Sequence, residues 1–389
     1  MTPISSTELL PDYDLLFAGA GCAALSLLHR MAAEGLLAGK RVLLVDRDVK
    51  ERNDRTWCFW ERGAGPFESI VHHRWEQLGF HADAFSRTLN LGPYAYKVIR
   101  GADFYRHCRA VLEGFPDVHF LQAPVSAAGS DAGGAWLGAA GKTVQAPWLF
   151  NSIYTRPAPA PSTHWLLQHF KGWLIETAEP AFDPGRATLM DFRTGQEAGT
   201  AFVYVLPFSE RRALVEYTLF TGELLPAAAY DAALAAYVRD RLGLSGYTVL
   251  EAETGVIPMT NHRFPAGEGR VINLGTAGGQ TKGSSGYTFR NIQKHSAALV
   301  RRLKATGSPV GAGSAPGRFH FYDSVLLDVL AHGKVRGADI FTDLFRRNDP
   351  QKVLRFLDNE SNLGEELGII ASLPTAPFAR AALRQLTGL

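Results

Sequence analysis

The feature that most constrains the fold is a glycine-rich turn, GAGCAA at 19–24, between an apolar run at 13–18 and a helical pattern at 25–31. A second apolar strand at 41–45 ends in Asp46. This strand–turn–helix–strand order is typical of a dinucleotide-binding unit. It therefore predicts an α/β fold whose first domain is Rossmann-like.

Each position of this turn has a predicted role in holding a pyrophosphate. Glycine at 19 permits the tight turn, glycine at 21 lets the backbone approach the phosphates, and alanine at 24 lets helix and strand pack closely. The helix N-terminus offers free N–H groups, and the acid at the end of the second strand can accept from ribose hydroxyls. The predicted cofactor-binding residues are Gly19, Ala20, Gly21, Ala24 and Asp46. The alternative is a glycine-tightened turn in an α/β unit that binds no ligand.

Composition excludes several other classes of protein. A chain of 389 residues suggests two or three structural units, and a net charge of only +2 shows no electrostatic footprint for nucleic acid. Three cysteines lack metal-type or redox-pair spacing, which fits a reducing compartment and predicts no metal site. The N-terminus does not read as a signal peptide, and there is no apolar run of about 18 residues. We therefore expect a cytoplasmic protein that is soluble or lies on a membrane surface.

Two further segments favour FAD over NAD as the nucleotide. An aromatic, arginine-bearing stretch at 53–60 follows the acid-tipped strand, where NAD dehydrogenases normally continue with βα units. A strand, a glycine-rich loop and a helix at 269–303 look like a second flavin-binding segment, although any glycine-rich βα turn could have this pattern. The additional predicted cofactor-binding residues are Arg55, Thr56, Val125, Gly275, Thr276, Gly283, Gly286 and Tyr287.

The pattern of strands and helices predicts a discontinuous domain organisation. Residues 1–70, 100–160 and 255–310 are assigned to the FAD-binding domain, and 71–99 with 161–254 to an inserted β-sheet substrate domain. A Pro- and Ser-rich stretch at 151–162 marks a crossing between the two. Residues 311–389 form a helical C-terminal region with interleaved basic residues. Its apolar stripes are either core or a surface that rests on a membrane.

One carboxylate stands inside an otherwise apolar strand at 212–220. Its neighbours Val215, Tyr217 and Leu219 favour a half-buried pleated strand. Burial there would remove water from Glu216 and raise its pKa, and a carboxylic acid kept protonated near neutral pH can act as a general acid. Glu216 is therefore the predicted catalytic residue. The alternative is that it points outward and pairs with the arginine at 211 or 212.

Several segments together resemble the bacterial flavoprotein lycopene cyclases over about residues 12–385. The motifs that carry the resemblance are DRTWCFW at 54–60, GWLIET at 172–177, LMDF at 189–192, LVEYT at 214–218, GVIPM at 255–259 and RRNDP at 346–350. Related reductases and hydroxylases share the nucleotide motif without these pieces. One departure concerns the second flavin segment, which commonly carries Gly-Asp in this superfamily and here carries Gly275-Thr276.

The resemblance implies cyclisation of the ψ-ends of lycopene and related carotenes to β-ionone rings, with no net redox change. It implies reduced FAD as cofactor, NADPH as reductant, Glu216 as the proton donor, and Trp57, Asp191 and Tyr217 as residues near the substrate, with Asp191 and Glu176 as alternative acids. We further expect a monomer that is peripheral on the inner face of the cell membrane. The rival interpretations are an FAD-dependent isoprenoid reductase or monooxygenase of the same fold, and a non-catalytic carotenoid carrier.

Overall fold

The computed structural model describes residues 2–160, 163–312, 317–333 and 335–387. The strands of these segments are β1 Thr2–Ile4, β2 Leu15–Ala18, β3 Val42–Asp46, β4 Thr56–Arg62, β5 His73–Trp75, β6 Gln77–Ala82, β7 Phe85–Asn90, β8 Tyr94–Arg100, β9 Val118–Gln122, β10 Val125–Asp131, β11 Gly134–Ala139, β12 Lys142–Ala146, β13 Trp148–Asn151, β14 Trp165–Glu176, β15 Arg186–Asp191, β16 Thr200–Pro207, β17 Arg212–Thr221, β18 Thr248–Thr260, β19 Gly267–Glu268 and β20 Val271–Asn273. The helices are α1 Cys22–Ala33, α2 Gly101–Glu113, α3 Ala227–Asp240, α4 Phe289–Thr306, α5 Gly317–Ala331, α6 Gly337–Arg347, α7 Pro350–Leu357, α8 Leu363–Ser372 and α9 Thr375–Thr387.

The first large sheet carries the glycine turn. Its order is β1-β9-β3-β2-β13-β20-β19, and every pair is parallel except the antiparallel edge pair β19–β20. The central strands are buried on both faces, which explains their continuous apolar sequences. Helices α1, α2 and α4 cover one face, and the antiparallel meander β10–β12 covers the other. The predicted Rossmann-like α/β organisation is confirmed.

The second large sheet is mostly antiparallel. Its order is β18-β14-β17-β16-β15-β6-β7, and only the pair β15–β6 is parallel. One face packs on α3, through residues such as Val215, Tyr217 and Leu234. The opposite face packs on the small sheet β4-β8-β5 and on the C-terminal helices. The sheet therefore has two unlike sides, and strand alternation decides which side each residue of β17 faces.

Two predicted domain boundaries divide continuous structure. The boundary at 254/255 falls inside β18, whose residues pair with β14 along its whole length. The segment 71–99, predicted to belong to the substrate sheet, is split: β6 and β7 join that sheet, whereas β5 and β8 pair with β4. These two predicted boundaries are therefore wrong. The error arises because pairing between strands far apart in the chain leaves no local signal in the sequence.

The C-terminal region is helical, as predicted. Helices α6 and α7 bury Phe341, Phe345 and Leu354 in the main core against the second sheet. Most of the apolar stripe is therefore core. By contrast, α8 leaves Leu363, Leu367 and Ile370 exposed, at 62%, 67% and 40%. Within the segments described above, no helix has the length and apolar character needed to cross a membrane.

Candidate active site

A cavity of about 410 Å³ lies between the two large sheets. The first sheet contributes the start of α1 and the loop after β20, and the second contributes side chains from β14, β16, β17 and β18. Strand β4 forms a further wall through residues 56–58. The predicted nucleotide turn and the predicted acid, which are about 200 residues apart in the chain, therefore line the same cavity.

The glycine turn has the geometry that its sequence predicts. Gly19 has a φ of +93°, and a Cβ there would collide with the Ser152 hydroxyl. Helix α1 begins after Gly21 without a side-chain cap, so its first N–H groups and its positive dipole end are available to an anion. A Cβ built on Gly21 meets no atom within 4 Å, because this position faces open space beside the cavity.

The other predicted residues of this turn support it rather than line the cavity. The Asp46 carboxylate accepts from the backbone N–H of Ala20 at 2.7 Å and from that of Asp48 at 2.9 Å. Ala24 is fully buried where α1 packs on the sheet. Val125 begins β10, and its side chain packs against the core beneath the meander. The residues of this region that line the cavity are Gly21 and the first two residues of α1, Cys22 and Ala23.

The second glycine-rich loop closes the cavity from the other side. Gly275 and Gly286 have φ values of +61° and +70°, and a Cβ on Gly286 would collide with the Gln168 side chain of β14. The hydroxyl of Thr276, which stands where the superfamily commonly has aspartate, lies 3.0 Å from that of Thr281 and lines the cavity. Gly283 does not line it, because this residue packs on β18, with the Thr260 carbonyl 2.5 Å from a built Cβ.

Glu216 belongs to a row of four residues that crosses the second sheet. In the strand registers, Tyr204 pairs with Glu216, Glu216 pairs with Gly172, and Gly172 pairs with Glu253. Residues directly opposite each other project from the same face of a sheet. Two glutamates therefore stand on either side of a residue that has no side chain.

Gly172 places no side chain between the two carboxylic acids, and the Leu214 side chain packs over it, with Cδ1 3.1 Å from a built Cβ. A Cβ built on Gly172 would lie 3.3 Å from Cγ of Glu253 and 3.5 Å from Cβ of Glu216. Burial, and then the charge of Glu253, raise the pKa of Glu216 well above its ordinary value. Burial also raises the pKa of Glu253. The Thr218 hydroxyl donates to Oε1 of Glu216 at 3.1 Å, and the carboxyl group of Glu253 is also a hydrogen-bonding neighbour of Glu216.

Aromatic side chains surround Glu216 on the cavity side. Trp57, Tyr96, Tyr204 and Tyr287 all line the same space. Burial raises the pKa of Tyr287 to about 12, and burial also raises the pKa of Tyr204 well above its ordinary value, so both rings are neutral near pH 7. Electron-rich ring faces of this kind attract a cation. The cavity therefore combines a carboxylic acid of raised pKa with aromatic rings that can stabilise positive charge.

Two predicted substrate residues lie on the wrong side of the sheet. Tyr217 follows Glu216 in β17, so strand alternation turns it towards α3. Asp191 is also buried away from the cavity, where it accepts from Arg193 at 2.7 Å and from the Tyr237 hydroxyl at 2.7 Å. Both assignments are wrong. Trp57, by contrast, lines the cavity, and its role as a substrate residue stays a prediction.

The alternative roles weighed for the acidic residues are also wrong. Glu176 is 38% exposed at the end of β14 and pairs with Arg212 at 2.6 Å. Because that arginine is occupied, it does not neutralise Glu216. Arg211 donates to the carbonyl of Ala178. Neither arginine therefore pairs with Glu216, and no other carboxylate predicted as the acid faces the cavity.

Sequence reasoning missed Glu253 and Gly172. Glu253 lies two residues before the predicted motif GVIPM, within an alternating stretch that also contains the exposed Glu251. Such alternation is typical of a solvent-facing strand, and nothing local distinguishes the buried glutamate. The available signal was the glycine that opens the motif GWLIET, because a glycine inside a strand often marks close approach of another group.

A second cavity of about 350 Å³ adjoins the first, and both are lined by Thr56 and Leu214. Glu253 faces this second space together with charged residues that include Arg100 and Arg212. Glu216 lines only the first cavity. The two glutamates therefore line different cavities: several aromatic residues line the cavity of Glu216, and several charged residues line that of Glu253.

The fold is shared with flavoproteins. A geranylgeranyl bacteriochlorophyll reductase-like protein from Thermoplasma acidophilum superposes with a TM-score of 0.67 and 12% identity, over 95% of this chain and 98% of that one. A flavoprotein/dehydrogenase from Cytophaga hutchinsonii gives 0.61 and 11% identity, over 97% and 100%. A flavin-dependent brominase gives 0.58 and 12% identity, over 97% and 100%. At these identities the likeness concerns the fold alone.

The sequence itself defines the family more narrowly. Residues 14–383 match the family described as lycopene cyclase protein, and the chain belongs to that family. A lycopene beta-cyclase of Paracoccus sp. (strain N81106 / MBIC 01143) is 29% identical over 268 residues, which is 66% of this chain. The alignment spans 63% of that relative's length. The resemblance inferred from the motifs is thereby confirmed.

Proposed function

We propose that this protein is an FAD-dependent lycopene β-cyclase, an isomerase in which Glu216 is the general acid. The observation that carries the proposal is the placement of a carboxylic acid, whose pKa is raised by burial and by the charge of Glu253, in a cavity that aromatic residues and the nucleotide turn also line. Membership of the lycopene cyclase family and the Paracoccus relative support the substrate.

The reaction begins with proton transfer from Glu216 to the terminal double bond of a lycopene ψ-end. Electrons of an internal double bond then close the ring and leave a tertiary cation, which loses a proton to give the β-ionone ring. One proton enters and one leaves, so no oxidant or reductant is consumed. The Thr218 hydroxyl, already bonded to Glu216, stabilises the carboxylate left behind. Ring faces of Trp57 and Tyr204 attract the cation.

The residues around the cavity fit FAD. The uncapped start of α1 suits a pyrophosphate, and the missing Cβ of Gly21 leaves room for it. Gln168 Oε1 is buried in the cavity wall without a hydrogen-bond partner among the described residues. Buried polar atoms of this kind normally have partners, and a polar ring system would supply them. When bound, reduced flavin supplies negative charge close to the cation. NADPH is the proposed reductant.

Replacing Gly21 with valine tests the nucleotide assignment. Gly21 has an extended backbone, φ −84° and ψ −169°, so valine fits the fold while its side chain enters the phosphate space. We expect the variant to purify folded and colourless, as measured by circular dichroism and flavin absorbance. Gly222→Val is the matched control, because a Cβ there also meets nothing within 4 Å. Normal flavin content in Gly21→Val would refute this site.

The overall activity is tested by incubating the purified, flavin-loaded protein with lycopene and NADPH under anaerobic conditions. Chromatography should show γ-carotene and β-carotene, while absorbance shows NADPH oxidised in amounts far below the carotene formed. Stoichiometric NADPH consumption would instead indicate the isoprenoid reductase or monooxygenase. Binding of lycopene without any product would indicate a carrier.

We also propose that the protein collects its substrate from a membrane surface on the cytoplasmic side. Lycopene is insoluble in water, and Leu363, Leu367 and Ile370 form an exposed apolar stripe at helical spacing on α8. The basic residues expected to assist are already paired: Arg346 with Asp343, and Arg355 with Glu365. We therefore propose that α8 contacts the membrane through its apolar side chains, and that a single copy of the protein can make this contact.

Flotation with neutral phosphatidylcholine vesicles tests this contact. Leu367→Asp should reduce the floating fraction, with little change in melting temperature because the side chain is 67% exposed. Leu224→Asp, at 53% exposure on another part of the surface, is the control and should float like the wild type. Equal flotation of all three proteins would exclude α8 as the contact.

A further inference from the structure

We infer that Glu253 is a positioning residue that keeps the acid proton on Glu216. A role for Glu253 in cyclisation rests on the proposed function. The pairing of the two glutamates does not depend on that function. Both glutamates are register partners of Gly172, one from each neighbouring strand.

The strand spacing places the two side chains within reach of each other. Neighbouring strands lie about 4.8 Å apart, so two residues separated by one strand are roughly 10 Å apart at Cα. A side chain between them would fill this gap. Because position 172 is glycine, both glutamates can lean over it, and Cγ of Glu253 lies 3.3 Å from where a Cβ would be. The pair is therefore created jointly by the register and by the glycine.

The contacts decide which member of the pair holds the proton. The Thr56 hydroxyl donates to Oε2 of Glu253 at 2.7 Å, and the nearby positive charge of Arg55 also favours the ionised form of Glu253. Glu253 further lines the second cavity together with Arg100 and Arg212. Glu216 has one hydroxyl donor, and among the described residues no cation acts on it. Two adjacent carboxylates cannot both ionise cheaply, so the negative charge resides on Glu253 and the proton on Glu216.

The other titratable groups facing the pair leave this conclusion unchanged. Cys58 on β4 and Tyr204 on β16 are close enough for the glutamates to act on them, and burial raises the pKa of both, so they are neutral near pH 7. Glu251 on β18 is the remaining acid near Glu253, and it is bound to Arg100 at 2.9 Å. Arg55 is the cation that acts on Glu253. The negative charge of Glu253 therefore favours the protonated form of Glu216.

This arrangement serves an acid that must be restored after every turnover. Once Glu216 has given up its proton, the pair carries two negative charges close together. That repulsion favours recapture of a proton by Glu216, while the ring cation releases one. Without Glu253, burial alone would raise the pKa of Glu216, so Glu216 would ionise at a lower pH and hold its proton over a narrower pH range.

The test is a pH titration of Glu216 by infrared difference spectroscopy, with the protonated-carboxyl band assigned by Glu216→Gln. We expect the band to disappear at lower pH in Glu253→Gln than in the wild type, because the neighbouring negative charge is gone. Gly172→Ala keeps both acids but separates them, so it should shift the band in the same direction by less. Glu176→Gln removes an exposed carboxylate from the neighbouring strand and should leave the titration unchanged.

The pH above which the cyclisation rate declines should be lower in Glu253→Gln than in the wild type, in parallel with the shift of the infrared band. An unchanged Glu216 titration in both Glu253→Gln and Gly172→Ala would overturn the inference, even if lycopene is cyclised normally. A shifted titration in a protein that cyclises no lycopene would support the pairing and refute the proposed function. The spectroscopic readout thus separates the two failures.

Discussion

The two faces of the second sheet each bury a carboxylic acid, and the two acids behave in opposite ways. On the α3 face, Asp191 accepts two side-chain bonds from Arg193, at 2.9 and 2.7 Å, and one from the Tyr237 hydroxyl. Burial alone would raise the pKa of Asp191, but these bonds outweigh it and lower the pKa. On the cavity face, Glu216 has a second carboxylic acid as its neighbour, and its pKa is raised.

The comparison shows that burial does not by itself make a catalytic acid. Asp191 is buried and Glu216 is partly buried beside the cavity, and both lie in strands of the same sheet. The bonds from Arg193 outweigh burial and lower the pKa of Asp191, whereas burial and the charge of Glu253 raise the pKa of Glu216. The pKa of a buried carboxyl group in this sheet therefore depends on whether its neighbour is a cation, as at Asp191, or a second carboxyl group, as at Glu216.

Removing the acid of the cavity face should produce the largest effect. Glu216→Gln preserves size but has no proton acidic enough for an alkene, so we expect cyclisation to fall by about 10⁴-fold or more, the upper end for general acids. Glu216→Asp should recover little, because a misplacement of about 1 Å can cost on the order of 10²-fold. Steady-state assays with flavin content as control measure both. A Glu216→Gln enzyme with wild-type rate would remove this residue from the mechanism.

Removing the acid of the α3 face should affect stability instead. Asp191→Asn weakens the charge-assisted bonds to Arg193, which we expect to lower the free energy of unfolding by about 2 kcal/mol. The rate per folded molecule should stay within roughly twofold of the wild type, because Asp191 does not line the cavity. Urea unfolding and activity assays measure the two quantities. Lost activity with unchanged stability would show that the faces have been assigned the wrong way round.

The same two variants should show opposite dependence of stability on pH. The raised pKa of Glu216 means that its contribution is complete below the ordinary glutamate pKa and is lost as pH rises through the folded-state value. Glu216→Gln should therefore melt above the wild type in alkaline buffer, with the difference declining towards acid. The lowered pKa of Asp191 gives a contribution present above the ordinary aspartate pKa and lost in acid. The deficit of Asp191→Asn should accordingly shrink as pH falls.

The smallest effect is expected for the residue adjacent to the acid. Tyr217→Phe removes a hydroxyl that faces α3, so the cyclisation rate should change less than about twofold and stability by no more than about 1 kcal/mol. Steady-state assays and thermal melts check this. A large loss of rate with normal folding would place Tyr217 at the substrate after all and contradict the alternation of β17.

Much of the fold was predictable from local pattern. The turn at 19–24 predicts a Rossmann-like sheet because few other turns combine glycines, flanking apolar strands and a terminal acid in this order. The C-terminal helices were predictable from apolar spacing, and α8 even carries a capping box between Asn362 and Glu365. The boundary at 254/255 was not, because residues 248–260 form one continuous strand whose pairing is with a distant part of the chain.

The candidate site was predictable only where a side chain's role is local. Glu216 was identifiable because an acid among apolar strand residues is unusual wherever it occurs. Asp191 and Tyr217 were misassigned because sequence proximity to a motif does not show which face of a sheet a residue occupies. Glu253 was missed because an alternating acidic strand looks exposed until its neighbours are known.

The sequence by itself determined the kind of sheet, the nucleotide turn and the identity of one buried acid, since each depends on residues within a few positions of one another. Only the tertiary structure decided that Gly172 lies between Glu216 and Glu253, and that Arg193 pairs with Asp191 while no cation of the described segments acts on Glu216. The physical reason is that a pKa depends on distances to charges and on exclusion of water. Those distances are fixed by strand register and face, which join segments far apart in the chain.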